Sequence, residues 1–290
     1  MKIVVFGATG RLGRHVLGSL QQRGVPAGDI IAAGRDLSKL GDQNVQAVHV
    51  DYADAATVRT ALRTADRALL ISGGDFGQRV AQHATVIDAA READIELLAY
   101  TSTPRAADSA MSMAMEHAAT ESHLRDSGVP FTILRNSMYL DILTEQVAPQ
   151  AVARGVIDGA AGKGRMSPAS RAELADAAAE VLTGEGHAGA VYELGGSRSY
   201  TMDDVASAIA QWSGRHVEYG DVTAGEYQAM LMKQGMPEKV SEIFADTQLG
   251  IARDEFYVDS GDLARLIGRP LQTLEEALAT TPLHNDTHGS

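Results

Sequence analysis

Short apolar runs alternate with stretches of helical periodicity in the first half of the chain. The apolar runs predict strands over residues 2–6, 29–33, 45–50, 67–72, 95–101 and 131–134. The stretches between them predict helices over residues 11–24, 55–65, 78–93 and 110–127. This alternation is typical of βαβ units in a parallel sheet. Because the strands are short and mostly apolar rather than alternating, we expect helices on both faces of the sheet.

The pattern changes after residue 150, where helical stretches rich in Ala and Glu predominate. Ser170 and Thr201 each stand three residues before a carboxylate, the spacing of a capping box, and predict two helix starts. Gly184 and Gly186 predict the end of the first of these helices, before a strand over residues 190–194. No Pro-, Gly- or Ser-rich linker separates the halves. We therefore interpret residues 1–150 as an α/β domain and 151–290 as a smaller, mostly helical lobe packed on it.

Composition narrows the classes of function. The apolar and charged fractions, 44% and 22%, are ordinary for globular proteins. A net charge of −13 disfavours nucleic acid as a partner, so any bound phosphate is expected to be small and locally held. No apolar run is long enough to predict a membrane span, and the N-terminal run is too short for a secretory signal. The absence of cysteine favours a cytoplasmic location. His284 and His288 are interpreted as solvated tail residues rather than metal ligands.

A glycine-rich turn follows the first predicted strand and opens the first helix. It reads Gly7-Ala8-Thr9-Gly10-Arg11-Leu12-Gly13. A tight turn, a backbone that can approach a pyrophosphate and a helix N-terminus aimed at negative charge are the requirements of a dinucleotide site. The Gly-x-x-Gly-x-x-Gly spacing is the form found in short-chain dehydrogenases. The alternative interpretation is a plain strand-to-helix turn.

The end of the second predicted strand bears on the choice of nicotinamide cofactor. Arg35 stands roughly 20 residues past the turn, where an acidic residue would bind a ribose 2′-hydroxyl and an arginine would bind a 2′-phosphate. Since guanidinium matches phosphate geometry, we predict NADPH over NADH, with Arg11 and Lys39 as helpers. A solvated surface arginine is the alternative. Asp51 and Tyr52 close the third strand, where they would bracket an adenine or form a plain turn.

The acid–base pair of standard short-chain dehydrogenases is missing. None of the eight tyrosines is followed by lysine at the fourth position, and no Gly-x-Ser-x-Gly elbow favours a hydrolase. His117 and Glu121 share a helix face and predict an oriented, titratable pair, with a packing histidine as the alternative. Reduction of a quinone leaves a phenolate whose conjugate acid has a pKa of about 10, so a weak donor suffices. A cationic dye that accepts hydride at carbon needs no proton.

Several segments together resemble the NmrA-like atypical short-chain dehydrogenases, among them reductases of quinones and of triphenylmethane dyes. The resemblance covers essentially the whole chain. It rests on the glycine turn, Gly34-Arg35, Asp51-Tyr52, Leu69-Leu70-Ile71-Ser72, Ala99-Tyr100-Thr101-Ser102, His117-x-x-x-Glu121, Phe131-Thr132-Ile133-Leu134-Arg135-Asn136 and Val191-Tyr192-Glu193-Leu194.

The resemblance implies a role for individual residues, mostly at strand ends. The pyrophosphate would be held by Gly7, Thr9, Gly10, Arg11, Leu12 and Gly13. Arg35 would bind the 2′-phosphate, and the path of ribose and nicotinamide would be lined by Ser72, Gly73, Gly74, Thr101 and Ser102. Asn136 and Tyr139 would lie near the nicotinamide, with His117 where related reductases carry lysine. Phe76 and Tyr139 are candidates to stack on a planar substrate.

The sequence thus predicts a Rossmann-type, doubly wound α/β protein, with the NADP-binding domain in residues 1–150 and an acceptor-shaping lobe in 151–290. The predicted activity is NADPH-dependent hydride transfer to a quinone or a similar conjugated or cationic aromatic acceptor, without flavin or metal. His117 or Tyr139 would at most supply a proton or hydrogen bond. The alternative is an NADP(H)-binding redox sensor without turnover, and the sequence leaves a homodimer open.

Overall fold

A computed structural model describes residues 1–282, so the predictions for His284 and His288 lie outside the described residues. The strands are β1 (Ile3–Phe6), β2 (Ile30–Gly34), β3 (Gln46–His49), β4 (Arg67–Leu70), β5 (Leu97–Ser102), β6 (Phe131–Asn136), β7 (Val156–Gly159), β8 (Val191–Leu194) and β9 (Glu218–Asp221). The α-helices are α1 (Arg11–Gln22), α2 (Ala55–Leu62), α3 (Arg79–Glu92), α4 (Ser112–Asp126), α5 (Leu140–Ile142), α6 (Ala148–Arg154), α7 (Arg171–Thr183), α8 (Met202–Ser213), α9 (Ala224–Lys233), α10 (Glu238–Ala252), α11 (Asp262–Ile267) and α12 (Leu274–Ala279). A π-helical turn, Leu143–Val147, joins α5 to α6.

Seven parallel strands form the main sheet in the order β3-β2-β1-β4-β5-β6-β8. The strand order reverses between β1 and β4, because β2 and β3 extend the sheet to one side of β1 and β4 to β8 to the other. In an open parallel sheet, such a reversal leaves a crevice at the carboxyl ends of the strands. The predicted doubly wound α/β fold is confirmed.

Both faces of the sheet are covered by helices, as the non-alternating strands predicted. Within β1, Ile3 and Val5 pack into one core with side chains of α1 and α7. Val4 and Phe6 point the other way, into a core shared with α2, α3 and α4. All four side chains of β1 are fully buried, and this burial explains why the strand contains no polar residue.

Residues beyond 150 return to the main sheet. Strand β8 pairs with β6 in parallel, and this pairing extends β6 to Asn136, two residues past its predicted end. Helix α7 lies against α1 and ends at Gly184, as its glycine stop predicted. The capping boxes predicted at Ser170 and Thr201 are confirmed, since both hydroxyls accept from the backbone N–H three residues on.

Most of the remaining elements contribute to a third core. It is built from side chains of α5, α6, α8, α10 and α12, and it includes Met111 at the start of α4. The two-stranded parallel sheet of β7 and β9 lies against it. Within residues 1–282, no helix combines the length and the apolar character needed to cross a lipid bilayer.

Candidate functional site

The glycine turn has the close packing that its motif predicted. Gly7 has φ +76°, a left-handed conformation that glycine adopts without strain, and its carbonyl accepts from the Gly10 amide at 3.0 Å. A Cβ on Gly13 would stand 2.4 Å from the Gly7 oxygen and 2.6 Å from the Ala8 Cα. Only glycine therefore lets α1 approach β1 this closely.

Helix α1 presents an uncapped N-terminus at this turn. Its N-cap, Gly10, has no side chain to bind the first N–H groups, and its first turn holds no acidic residue. The Leu12 side chain is buried in the core, so only its backbone can face a ligand. The Arg11 guanidinium is paired with Glu145 of the π-helical turn. The free N–H groups and the helix dipole together suit a phosphate group.

A cavity of about 290 Å³ opens beside the turn, at the carboxyl ends of β1 to β4. We call it the sheet-end cleft. It is lined by Gly7, Thr9, Gly10, Arg35, Lys39, Asp51, Tyr52, Ser72, Gly73 and Gly74 among the predicted binding residues, together with Asp36, Asp75 and Gln82. Ten predicted residues therefore converge on one cavity, and three further polar residues accompany them.

Two cations face the cleft from the segment after β2. Arg35 is largely exposed and pairs across the cleft with Asp75, at 3.0 Å between Nη1 and Oδ2. Lys39 pairs with Asp36 at 3.4 Å. Both cations are accessible to an anionic ligand, and each already has a carboxylate partner that the ligand would replace.

The side chains of Asp51 and Tyr52 are both hydrogen-bonded to the backbone at the edge of the cleft. The Tyr52 hydroxyl donates to the Ile71 carbonyl at 3.1 Å, and burial raises the pKa of this phenol, which therefore stays protonated. The Asp51 carboxylate accepts from the Ala53 amide at 3.0 Å, as in an Asx turn. Asp51 therefore shapes a turn, and both residues line the cleft, where bracketing of an adenine stays a prediction.

The β4–α3 loop, residues 73–78, is held by two buried side chains that the sequence analysis did not identify. His83 Nε2 accepts from the Gly73 amide at 3.1 Å, and its Nδ1 lies 3.1 Å from the Thr120 hydroxyl. Burial and the nearby Arg79 charge lower the pKa of His83 to about 3, so the ring is neutral. Arg79 Nε donates to the Gly73 carbonyl at 2.9 Å. Their spacing of four residues on α3 is the only signal in the sequence.

His117 is a buried neutral histidine with an aromatic partner. Its Nδ1 lies 2.7 Å from the hydroxyl of the fully buried Tyr100. Burial, together with the charge of Arg79 and the neighbouring His83, lowers the pKa of His117 well below its ordinary value. The imidazole therefore cannot act as a cationic acid near neutral pH, although its neutral form still carries one N–H.

The structure separates His117 from Glu121, which the sequence analysis had paired. Glu121 is fully buried and accepts from Arg135 Nη2 at 2.6 Å and from Arg125 Nη2 at 2.9 Å. Ser102 donates its hydroxyl to the same carboxylate at 2.7 Å. The prediction of a His117–Glu121 pair is wrong because a buried carboxylate takes the nearest cations, which come from β6 and α4.

Thr101 and Ser102 lie at the predicted strand end, but their hydroxyls are directed to protein partners. Thr101 Oγ1 accepts from the Ser72 amide at 2.9 Å and thereby ties β5 to the end of β4. Both side chains are almost fully buried. Their contribution to the site is to fix the strand ends around the cleft.

Asn136 ends β6, and Tyr139 lies three residues beyond it. Asn136 is buried, and its Oδ1 has no hydrogen-bond partner among residues 1–282, although a buried acceptor ordinarily has one. The Arg171 guanidinium covers the Tyr139 ring, with its Cζ 4.3 Å from the ring centroid, and burial raises the pKa of Tyr139. Phe76 lies on the β4–α3 loop, partly exposed beneath Arg79. An unpaired acceptor next to Tyr139 suits a ligand that carries an amide N–H.

Comparisons with known proteins agree with this geometry. Residues 7–185 match the NAD(P)H-binding family. Quinone oxidoreductase 2 of Escherichia coli is 39% identical over 96% of this chain and 97% of its own length. Its structure with NADPH has a TM-score of 0.91, at 38% identity over 96% of this chain and 98% of that one. Triphenylmethane reductase of Citrobacter sp., complexed with NADP(H), also has a TM-score of 0.91, at 36% identity over 97% and 100%. The chain therefore belongs to the NAD(P)H-binding family, within the NmrA-like group that its motifs resemble.

Proposed function

We propose that this protein is an NADPH-dependent oxidoreductase that transfers hydride to a quinone or to a similar conjugated or cationic aromatic acceptor. The observation that carries the proposal is the sheet-end cleft, which joins an uncapped helix N-terminus to a pair of exposed cations. The relatives named quinone oxidoreductase 2 and triphenylmethane reductase, both solved with NADPH or NADP(H), support this choice of cofactor and acceptor.

The residues present fit such a cofactor at four points. The free N–H groups at the start of α1 would hold the pyrophosphate. Arg35 and Lys39 would hold the 2′-phosphate, and Tyr52 would wall the adenine side of the cleft. The unpaired Oδ1 of Asn136 would accept from the nicotinamide carboxamide. Bound NADPH supplies the hydride, so the chain itself needs no redox-active side chain.

The residues near the acceptor would position it and supply a weak proton donor. Phe76 and Tyr139 would stack on a planar ring, and the elements of the third core would close the pocket around it. Burial keeps both His117 and Tyr139 neutral, which makes them hydrogen-bond donors rather than strong acids. A phenolate with a conjugate-acid pKa of about 10 needs no more than this. The missing Tyr-x-x-x-Lys pair is thus compatible with turnover on such acceptors.

Steady-state oxidation of NADPH with a panel of quinones and cationic dyes tests the proposal. We expect turnover with both classes, and reduction of simple ketones to be far slower because their alkoxide products need a strong acid. Binding of NADPH without turnover on any acceptor would contradict the reductase assignment and favour a redox sensor.

The His117→Ala variant tests whether His117 donates a proton or only supports the fold. A loss confined to acceptors that need a proton would make His117 a donor, whereas an equal loss with dyes would make it structural.

A further inference from the structure

The β4–α3 loop is fastened at both ends and projects its tip toward the sheet-end cleft. Arg79 holds the first end through the Gly73 carbonyl, at 2.9 Å. Glu116 holds the second end by accepting from the Gly77 amide at 2.7 Å. Arg79 Nη1 and Glu116 Oε2 are themselves 3.1 Å apart, so one partly buried ion pair anchors both ends of the loop. The tip, which carries Asp75, lies between two fixed points.

Asp75 has one partner across the cleft and another on its own side. Its Oδ2 lies 3.0 Å from Arg35 Nη1, on the segment after β2, and 3.3 Å from Gln82 Nε2, on α3. The Arg35 side chain is 63% exposed and that of Asp75 is 39% exposed, so water screens the pair and keeps it weak. All three residues line the sheet-end cleft. The loop tip can therefore be held by Arg35 or by Gln82, and only the contact with Arg35 spans the cleft.

We propose that Asp75 is a specificity-determining residue that occupies Arg35 in place of the cofactor 2′-phosphate. The proposal rests on the placement of that phosphate at Arg35 under the proposed function. A dianionic phosphate binds a guanidinium through two hydrogen bonds and repels a carboxylate beside it. NADPH would thus displace Asp75 from Arg35 and leave it on Gln82. NADH, which lacks the phosphate, would leave the Arg35–Asp75 pair intact.

If this exchange occurs, removing the Arg35 charge should weaken NADP⁺ binding, and removing the Asp75 charge should strengthen it. Arg35→Ala removes the phosphate ligand and should abolish the preference for NADP(H). Asp75→Asn keeps the size of the side chain and its contact with Gln82 but removes the charge that competes for Arg35. Since an exposed ion pair of this kind corresponds to about a 1.5- to 5-fold change in an equilibrium constant, we expect NADP⁺ to bind more tightly by about that factor. Binding of NAD⁺ should not change.

Calorimetric titration of NADP⁺ and NAD⁺ tests the proposal without turnover. The matched control is Glu92→Gln, which removes one negative charge and one exposed ion pair, that of Arg59 and Glu92, outside the cleft. The exchange is supported if Asp75→Asn binds NADP⁺ more tightly than wild type while Glu92→Gln does not, and if this gain disappears when Arg35→Ala is added to Asp75→Asn. An equal gain with Glu92→Gln would reduce the effect to overall charge and overturn it.

The titration also distinguishes failure of this inference from failure of the proposed site. If Arg35→Ala loses NADP⁺ affinity while Asp75→Asn behaves as wild type, the 2′-phosphate is at Arg35 and the exchange with Asp75 is refuted. If Arg35→Ala leaves NADP⁺ affinity unchanged, the phosphate lies elsewhere and the inference falls with its premise. Amide exchange in the cofactor-free protein gives an independent reading. We expect faster exchange at the loop tip in both Asp75→Asn and Arg35→Ala, and unchanged exchange in both would contradict the cross-cleft pair.

Discussion

Two glycines of helix α1 should respond in opposite directions to the same substitution. A Cβ on Gly13 would stand 2.4 Å from the Gly7 oxygen, whereas a Cβ on Gly18 would meet nothing within 4 Å. Ordinary contact distances exceed 2.4 Å by roughly 1 Å, so Gly13→Ala must displace α1 from the turn. Leu12 and Val16 sit in the core on the same helix and would move with it.

The magnitudes follow from these contacts. Overpacking costs about 1–3 kcal/mol, and the cost lies toward the upper end here because the clashing atoms belong to the backbone and cannot rotate away. It therefore outweighs the helix-propensity gain of about 1 kcal/mol that alanine brings. Gly18→Ala should receive the gain without the cost and stabilise the protein by about 0.5–1 kcal/mol. Urea denaturation of both variants measures the difference. NADPH titration should show weaker binding only for Gly13→Ala, because only that change moves the free N–H groups. Stabilisation by both substitutions would refute the close packing of α1 on the turn.

Two further predictions concern buried charge. The folded-state pKa of His83, about 3, lies below the ordinary 6.5, so stability should fall with acidification below pH 6.5, by about 3 kcal/mol at pH 4.5. His83→Gln removes this titration, and the stability difference between variant and wild type should shrink by that amount between pH 7 and pH 4.5; a constant difference would contradict a buried neutral ring. Burial alone would raise the pKa of Glu121, but Arg135 and Ser102 hold it below its ordinary value. Glu121→Gln leaves Arg135 without its main counter-charge and should cost about 3–5 kcal/mol in urea denaturation, whereas a loss under about 1 kcal/mol would refute the buried pair.

The sequence was most informative where local pattern and burial agree. Strands β1, β2, β4 and β5 were predictable because a strand covered on both faces is mostly apolar, and the glycine turn because its contacts lie within one βα unit. Strands β7 and β9 were not predicted, because they are short and partly exposed. Arg35 was placed on the cleft by its position at a strand end. The end of β6 was predicted too short because its last pairs, at Arg135 and Asn136, depend on β8, which is distant in sequence.

Side chains that act across elements were beyond the reach of the sequence. Helical spacing put His117 and Glu121 on one face correctly, but their partners were decided by burial and by Tyr100 and Arg135 on other elements. His83 was missed because its role is to accept from a loop backbone, and no side-chain motif records such a contact. Pairings of this kind are fixed by tertiary packing, so spacing along one helix cannot predict them.

The charge balance of the cleft determines how it can select an anion. Arg35 and Lys39 line it together with Asp36, Asp51 and Asp75, so the wall is not electropositive, in a protein whose net charge is −13. Long-range attraction cannot concentrate the cofactor there. Each cation is already paired with a carboxylate, and a bound phosphate must replace one pair with another. Selectivity under the proposed function therefore depends on what a phosphate offers beyond a carboxylate, namely a second charge and a third oxygen. A cleft of free cations would bind any anion, whereas a cleft of paired cations favours the ligand that exchanges partners best.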